Sequence, residues 1–244
     1  MGDITDTDNA FNHGCMHNTI VSGDALSLMR ELSTGSVTLT LTDIPYDVVN
    51  RPSGGLRNLD KAGADVATFA LAPFVQEVAR VTSGSVYVWC STEQVSELRQ
   101  LLIAQGMTTR LGVWEKTNPS PMNGDKLWLS SLEVCVFGRR PKATFHAHCD
   151  SPVWRYPTVR SKRHPTEKSQ RLFEHLIETS SNPGDLVLDP CLGSGTTAAA
   201  AKATGRRWLG CELDPTFAAI ARDRVAAQAT RIVTLPVERM KAAA

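Results

Sequence analysis

Short apolar runs rich in β-branched residues alternate along this chain with segments of helical periodicity, and no other feature constrains the fold as strongly. Such alternation is typical of an α/β protein with a largely parallel sheet, because parallel strands need a crossover connection that is usually a helix. The pattern predicts strands at 19–22, 37–42, 85–89, 111–115, 132–137, 186–188 and 208–211. It predicts helices at 25–31, 66–81, 93–105, 167–179, 197–204 and 215–229.

Length and charge narrow the class of protein. A chain of 244 residues that is 42% hydrophobic is long enough for one sizeable core, so we expect one domain at 19–230, a flexible segment at 1–18 and a tail at 231–244. Lys and Arg total 26 against 25 acids, and this balance excludes a strongly basic protein that holds nucleic acid by bulk charge. Scattered cysteines and the lack of a signal sequence or long apolar run predict a cytoplasmic protein without a membrane span.

A glycine-rich turn follows the predicted strand at 186–188 and opens the next helix. Gly193 and Gly195 allow a tight turn and a close approach to a ligand, because neither carries a Cβ. Glu212 ends the following strand, about 20 residues after Asp189, where an acid can hold both hydroxyls of a ribose. The Lys-Ser or Lys-Thr pair of a phosphate-binding P-loop is missing from the turn. The segment therefore favours a nucleoside site, although a Gly-x-Gly pair alone is equally typical of a plain strand-to-helix turn.

A second motif, Asp43-Ile44-Pro45-Tyr46, ends the predicted strand at 37–42. Pro45 restricts the backbone, so a carboxylate, a backbone carbonyl and an aromatic ring are held close together. Open parallel sheets bind ligands at the carboxyl ends of their strands, where this motif lies. Alone, the motif is more typical of a turn than of a site. Combined with the glycine turn, the motif predicts a functional site.

Together the two motifs resemble those of the amino-group DNA methyltransferases that use S-adenosylmethionine. The Asp-Pro-Pro-Tyr type tetrad of that family matches residues 43–46, and its Asp-Pro-Phe-x-Gly-Ser-Gly-Thr-Thr type loop matches residues 189–197. Residues 23–24, 114–119 and 164–168 match further family segments. Because the tetrad precedes the loop, the chain is similar to the permuted β class. The resemblance implies a Rossmann-like methyltransferase fold, with a mostly parallel seven-stranded sheet and helices on both faces.

The resemblance also implies a catalytic tetrad. Asp43 and the carbonyl of Ile44 would accept hydrogen bonds from the target amino group, Pro45 would fix the backbone, and Tyr46 would stack on a flipped base. Ile44 replaces the usual first proline of the tetrad. Its additional backbone freedom would loosen the acceptor, so we expect slower transfer than in relatives.

For the cofactor, the resemblance implies that Asp24 binds the adenine, Glu212 the ribose, and Thr166 and Lys168 the carboxylate. Cys191 replaces the family's aromatic residue and is expected to be a small buried group rather than a reactive thiol. The loop that would hold the methionine part comprises Asp189, Pro190, Cys191, Gly193, Ser194, Gly195, Thr196 and Thr197.

An aspartate at the head of the tetrad is the form associated in this family with N6-adenine enzymes, whereas serine heads most N4-cytosine relatives. The resemblance therefore favours adenine in DNA, with cytosine as the alternative. Target recognition would use a short basic loop at about 139–163, in which Trp154 and Tyr156 are interleaved with basic residues. So short an element predicts a short target, relaxed specificity or a homodimer, and a cognate restriction endonuclease is a further expected partner. DNA contacts are expected from Lys116, Asn118, Arg155, Arg160, Lys162 and Arg163.

Other functions stay open at this point. A similar tetrad serves methylation of RNA or of a protein amide, and a catalytically silent, cofactor-dependent DNA-binding protein is the alternative outside the enzymes. The cluster at 146–149, with two histidines and a cysteine, lacks a clear fourth ligand, so no metal is expected. Glu133 is equally suited to the active cleft and to solvent, and Trp89 equally to the base pocket and to the core.

Overall fold

The computed structural model describes residues 16–46, 70–121, 124–159 and 167–230. Within these ranges the strands are β1 (Thr19–Ser22), β2 (Val37–Asp43), β3 (Thr82–Cys90), β4 (Thr108–Lys116), β5 (Leu132–Arg139), β6 (Val153–Tyr156), β7 (Leu186–Asp189) and β8 (Arg207–Glu212). The helices are α1 (Ala25–Glu31), α2 (Leu71–Val81), α3 (Val95–Ala104), α4 (Gln170–Ser180), α5 (Thr196–Ala203) and α6 (Pro215–Ala227). The first residues of the helix predicted at 66–81 lie outside the described ranges. The predicted domain boundaries stay a prediction.

The strands form one sheet in the order β1-β8-β7-β2-β3-β5-β4-β6. Only β5 among the described strands runs antiparallel to its neighbours, β3 and β4, so the predicted α/β fold with a mostly parallel sheet is confirmed. The predicted number of seven strands was wrong. An eighth strand, β6, lies inside the segment that was expected to be a recognition loop, and it pairs with the end of β4. Four residues among prolines, histidines and basic side chains give too little apolar pattern to reveal a strand.

Helices cover both faces of the sheet, as predicted. Alternate residues of β3 face opposite sides: Tyr87 and Trp89 join the core beneath α4, α5 and α6, whereas Val86 and Val88 join the core beneath α1, α2 and α3. The alanines at 198–201 are fully buried, which lets α5 lie close against the sheet. No helix in the described ranges is both long and apolar enough to cross a bilayer.

The chain connections reverse direction between β7 and β2, which are neighbours in the sheet. From β2 the chain passes through α2 to β3 on one side, and from β7 it passes through α5 to β8 on the other. In open α/β sheets a crevice forms outside the carboxyl ends of the strands at such a reversal. Asp43 and Asp189 end these two strands, so both sequence motifs border the same crevice.

Candidate active site

Packing fixes the tetrad in spite of its missing first proline. The backbone N–H of Ile44 donates to the carbonyl of Trp89 at 3.1 Å, a bond that proline could not make, and the Ile44 side chain is only 2% exposed. The amide of Gln94 donates to the carbonyl of Pro45 at 3.1 Å and accepts from the backbone N–H of Ser91 at 3.0 Å. These contacts limit the backbone freedom expected at Ile44. Sequence analysis missed Gln94, which lies too far along the chain to be associated with the tetrad.

A buried lysine connects the tetrad to the next part of the sheet. The ammonium of Lys168 lies 3.0 Å from Asp43 Oδ2, 2.5 Å from Glu133 Oε2 and 3.0 Å from the hydroxyl oxygen of Tyr46. The Tyr46 hydroxyl in turn donates to Asp43 Oδ1 at 2.9 Å. The Lys168 side chain is 6% exposed. The structure thus places Lys168 against the carboxylate of Asp43, although the resemblance implied a contact with the cofactor.

Glu133 lines this cleft, which resolves the alternative that the sequence left open. The residue is near the start of β5, and because β5 runs antiparallel, its beginning lies at the edge where the parallel strands end. The other carboxylate oxygen of Glu133 lies 2.8 Å from the ammonium of Lys116. Lys116 was predicted to bind DNA, but its side chain is mostly buried and also donates to the carbonyl of Ser130 at 3.4 Å.

Burial and the neighbouring charges determine the ionisation of these groups. Burial raises the pKa of Asp43, and the adjacent Lys168 opposes that rise. Burial also disfavours the charged forms of Glu133 and Lys168, but their partners outweigh it: the two lysines lower the pKa of Glu133, and Asp43, Tyr46 and Glu133 hold the pKa of Lys168 well above its usual value. The charged form of Lys168 is therefore favoured, and Lys168 in turn favours the ionised form of Asp43.

The glycine turn requires residues without side chains at two positions. Gly193 and Gly195 have φ angles of +54° and +84°, in the left-handed region that favours glycine. A Cβ on Gly195 would lie 2.9 Å from the Cβ of Ala221 on α6, whereas a Cβ on Gly193 would meet no atom within 4 Å. Gly195 therefore lets the loop pack on α6, and the space beside Gly193 is open to a ligand.

Glu212, at the end of β8, keeps acceptor capacity for a ligand. Its Oε2 accepts the backbone N–H of Gly193 at 2.6 Å, and its Oε1 accepts that of Asp214 at 2.9 Å. A carboxylate offers about four acceptor sites, so two bonds leave capacity for two hydroxyl groups. Asp24 follows the adjacent strand and caps α1 by accepting from the N–H and hydroxyl of Ser27, and the backbone bond in particular lowers its pKa.

The buried side chain of Asp189 stabilises the loop by hydrogen bonds. This side chain is 3% exposed and accepts from the hydroxyl of Thr197 at 2.5 Å and from the backbone N–H of Cys191 at 3.1 Å. Burial raises the pKa of Asp189 to about 7. Burial also raises the pKa of the Cys191 thiol well above its usual value, which agrees with an inert side chain.

Arg224 of α6 is a further residue that sequence analysis missed. Its guanidinium lies 2.9 Å from the carboxylate of Glu167, and it donates to the hydroxyl oxygens of Thr196 at 2.9 Å and Ser194 at 3.3 Å. The arginine thereby joins the cofactor loop to the residue that immediately precedes Lys168. A single arginine on a helix gives no sequence signal for such a role.

The remaining predicted residues differ in their surroundings. Asn118 accepts from the N–H of Thr158 at 2.6 Å and so orders the chain after β6. The exposed Arg155 lies 2.8 Å from Glu115.

Trp89 is fully buried and stacks on Phe173 at 6.1 Å between ring centroids, so it belongs to the core. Within the described ranges no group of three or more potential ligands could hold a metal ion. Four predicted residues lie outside these ranges: Arg160, Lys162, Arg163 and Thr166.

Comparison with known proteins agrees with this geometry. The DNA methylase family of N6 and N4 enzymes matches residues 125–223. The DNA adenine methyltransferase YhdJ of Escherichia coli is 29% identical over 82% of this chain and 79% of its own length. The type II methyltransferase M2.DpnII of Streptococcus pneumoniae is 26% identical over 86% of this chain and 90% of its own length.

Solved structures show the same fold. The M1.HpyAVI–SAM complex superposes with a TM-score of 0.68 and 25% identity, over 85% of this chain and 98% of that one. The cytosine-N4-specific PvuII DNA methyltransferase superposes with a TM-score of 0.65 over 92% of this chain and 90% of that one, at 18% identity. The chain is therefore similar, over most of its length, to enzymes of the amino-group DNA methyltransferase family. The predicted resemblance is confirmed, and with it the fold class and S-adenosylmethionine as the cofactor of that family.

Proposed function

We propose that this enzyme transfers a methyl group from S-adenosylmethionine to the exocyclic N6 of an adenine flipped out of DNA. The observation that carries the proposal is the position of Asp43, which ends β2 beside the crevice that the cofactor loop also borders. The aspartate at the head of the tetrad supports adenine over cytosine, as does a relative that is named a DNA adenine methyltransferase. Likeness to a cytosine-N4 enzyme keeps N4 methylation as the second candidate.

The residues around the glycine turn fit the proposed cofactor. The open space beside Gly193 and the spare acceptor capacity of Glu212 suit a ribose, and Asp24 lies after the strand next to Glu212. The loop at 189–197 would hold the methionine part, braced by Asp189 and Arg224. When bound, S-adenosylmethionine supplies an electrophilic methyl group.

Asp43 and the carbonyl of Ile44 would activate the target amine. An exocyclic amine delocalises its lone pair into the base and is a poor nucleophile, so acceptors on its hydrogens return electron density to nitrogen. These acceptors bind more strongly as positive charge develops on nitrogen, which lowers the barrier. Tyr46 would stack on the flipped base, and about 1 to 3 kcal/mol of stacking would offset part of the cost of unstacking.

An exposed apolar loop beside the cleft would face the DNA. Trp128 is 100% exposed, with Leu127 and Leu129 also exposed, and the loop is anchored through the bond from Lys116 to Ser130. A contiguous exposed apolar patch commonly marks an interaction surface. Here its neighbour is the catalytic cleft, so we propose that Trp128 contacts bases around the flipped nucleotide. The homodimer, the partner endonuclease and the cytoplasmic location remain proposals.

Methyl transfer from labelled S-adenosylmethionine to DNA, RNA and protein tests the proposal. We expect label in DNA alone, as N6-methyladenine after nucleoside analysis. The Asp43→Ala variant should lose this label, whereas Asp223→Asn on the exposed side of α6 should retain it. N4-methylcytosine without N6-methyladenine would establish the second candidate, and label confined to RNA or protein would refute a DNA substrate.

A further inference from the structure

We infer that Lys168 and Glu133 position Asp43 for methyl transfer, and that Lys168 does not serve as the ligand of the cofactor carboxylate. The inference rests on the proposed function, because Asp43 must be the acceptor for the target amine. Lys168 acts here as a positioning residue for that acceptor. Glu133 acts one step further away, through Lys168.

The first argument concerns the number of hydrogen bonds that Lys168 can donate. An ammonium has three N–H donors. In this cleft Lys168 has three acceptors within bonding distance: Asp43 at 3.0 Å, Tyr46 at 3.0 Å and Glu133 at 2.5 Å. A cofactor carboxylate would have to displace one of these bonds, each of which lies in a buried site. The arrangement instead leaves one oxygen of Asp43 beside the tyrosine hydroxyl and the other beside the ammonium.

The second argument concerns the charges around Asp43. A cation beside Asp43 favours the ionised carboxylate, which the acceptor role requires, but the same cation repels the positive charge that develops on the target nitrogen. Glu133 offsets that repulsion because it pairs with Lys168, and its second oxygen is itself balanced by Lys116. The cluster thus keeps Asp43 ionised without leaving an uncompensated cation next to the reacting amine.

The groups that face Asp43 come from every element around it. Lys168 precedes α4, Glu133 belongs to β5, Asp189 ends β7, Cys90 ends β3, and Tyr46 follows Asp43 in the tetrad. Burial raises the pKa of Asp43, Lys168 lowers it and Glu133 raises it. Removal of the lysine and removal of the glutamate should therefore shift the titration of Asp43 in opposite directions.

The test compares the pH dependence of kcat with cofactor affinity in Lys168→Met, Lys168→Arg and Glu133→Gln. The acid limb of kcat reports ionisations in the enzyme–substrate complex. We expect Lys168→Met to move this limb upward by about one pH unit or more, and Glu133→Gln to move it downward. Lys168→Arg retains the cation and should restore a limb close to that of the wild type. The dissociation constant of S-adenosylmethionine, measured by calorimetry, should stay unchanged in all three.

Matched controls are Lys142→Met and Glu97→Gln, two exposed residues away from the cleft. Thermal unfolding of each variant measures any structural damage, which alone would lower activity without opposite shifts of the limb. The inference is overturned if Lys168→Met weakens cofactor binding by about tenfold or more and leaves the limb in place, as expected for loss of a charge-assisted bond to the cofactor. It is also overturned if Lys168→Met and Glu133→Gln shift the limb in the same direction. A wild-type enzyme that methylates no DNA would instead refute the proposed function itself.

Discussion

The two sides of the crevice are built by different means. On the cofactor side, β7 and β8 carry a loop that is held by backbone N–H groups, a buried aspartate and glycines with positive φ. On the catalytic side, residues of β2, β4, β5 and the segment before α4 form a chain of alternating charges that runs from Asp43 through Lys168 and Glu133 to Lys116. Contacts within the part of the chain from β7 to α6 thus shape the cofactor side, whereas contacts between segments much farther apart in sequence shape the catalytic side. Substitutions on the two sides should consequently affect different quantities.

The largest effect is expected at the catalytic acceptor. Asp43→Asn keeps the size of the side chain but replaces one carboxylate oxygen with a donor, so we expect kcat to fall by roughly 10²- to 10³-fold. Cofactor affinity should not change, because Asp43 belongs to the other side of the crevice. Single-turnover methyl transfer and calorimetry measure the two quantities, with Asp223→Asn as the control. A parallel loss of cofactor affinity would show that the two sides cannot be separated.

Glu212→Gln should produce the converse result. The neutral amide loses charge-assisted hydrogen bonding, so we expect S-adenosylmethionine to bind about 10- to 100-fold more weakly, while kcat at saturating cofactor changes little. The control is Glu97→Gln, an exposed position on α3. Unchanged affinity in Glu212→Gln would remove the proposed ribose contact.

A smaller effect, on stability, is expected in the glycine turn, where Gly195→Ala and Gly193→Ala form a matched pair of variants. Gly195→Ala places a Cβ 2.9 Å from Ala221 in addition to the cost of a positive φ, whereas Gly193→Ala incurs the backbone cost alone. We expect Gly195→Ala to lower the free energy of unfolding by roughly 2 to 4 kcal/mol and Gly193→Ala by about 1 kcal/mol. Urea denaturation measures both. Equal losses would mean that packing of the loop on α6 is not the determining contact.

The last effect concerns the pH dependence of stability. Because burial raises the pKa of Asp189 to about 7, the folded state retains a proton that the unfolded chain releases near pH 4. This contribution to stability is complete below about pH 4 and is lost as the pH rises through about 7. Asp189→Asn should remove that component and flatten the stability curve across this window, as denaturation at several pH values would show. Identical slopes in the two proteins would contradict the assignment.

The same contrast explains what could be predicted from the sequence. The glycine turn, Glu212 and the tetrad lie at the ends of short apolar runs, so local pattern was enough to place them at one edge of the sheet. The bonds of Lys168 to Asp43 and Glu133 join segments far apart in sequence, and Glu133 reaches the edge only because β5 runs antiparallel. Strand direction is not encoded in apolar periodicity. Gln94 and Arg224 gave no signal because their partners lie far from them along the chain, and the four-residue β6 has too little apolar pattern to be recognised in a polar segment.

The order of two consecutive residues has a thermodynamic consequence. Glu167 pairs with Arg224, which braces the glycine turn, and Lys168 pairs with Asp43 of the tetrad. One peptide unit thus joins the two sides of the crevice, so we expect the binding of cofactor and the binding of DNA to be coupled when both ligands are present. By linkage, the factor by which cofactor raises the affinity for DNA must equal the factor by which DNA raises the affinity for cofactor. Cooperative capture of the two substrates is therefore the behaviour that we expect from this short stretch of backbone.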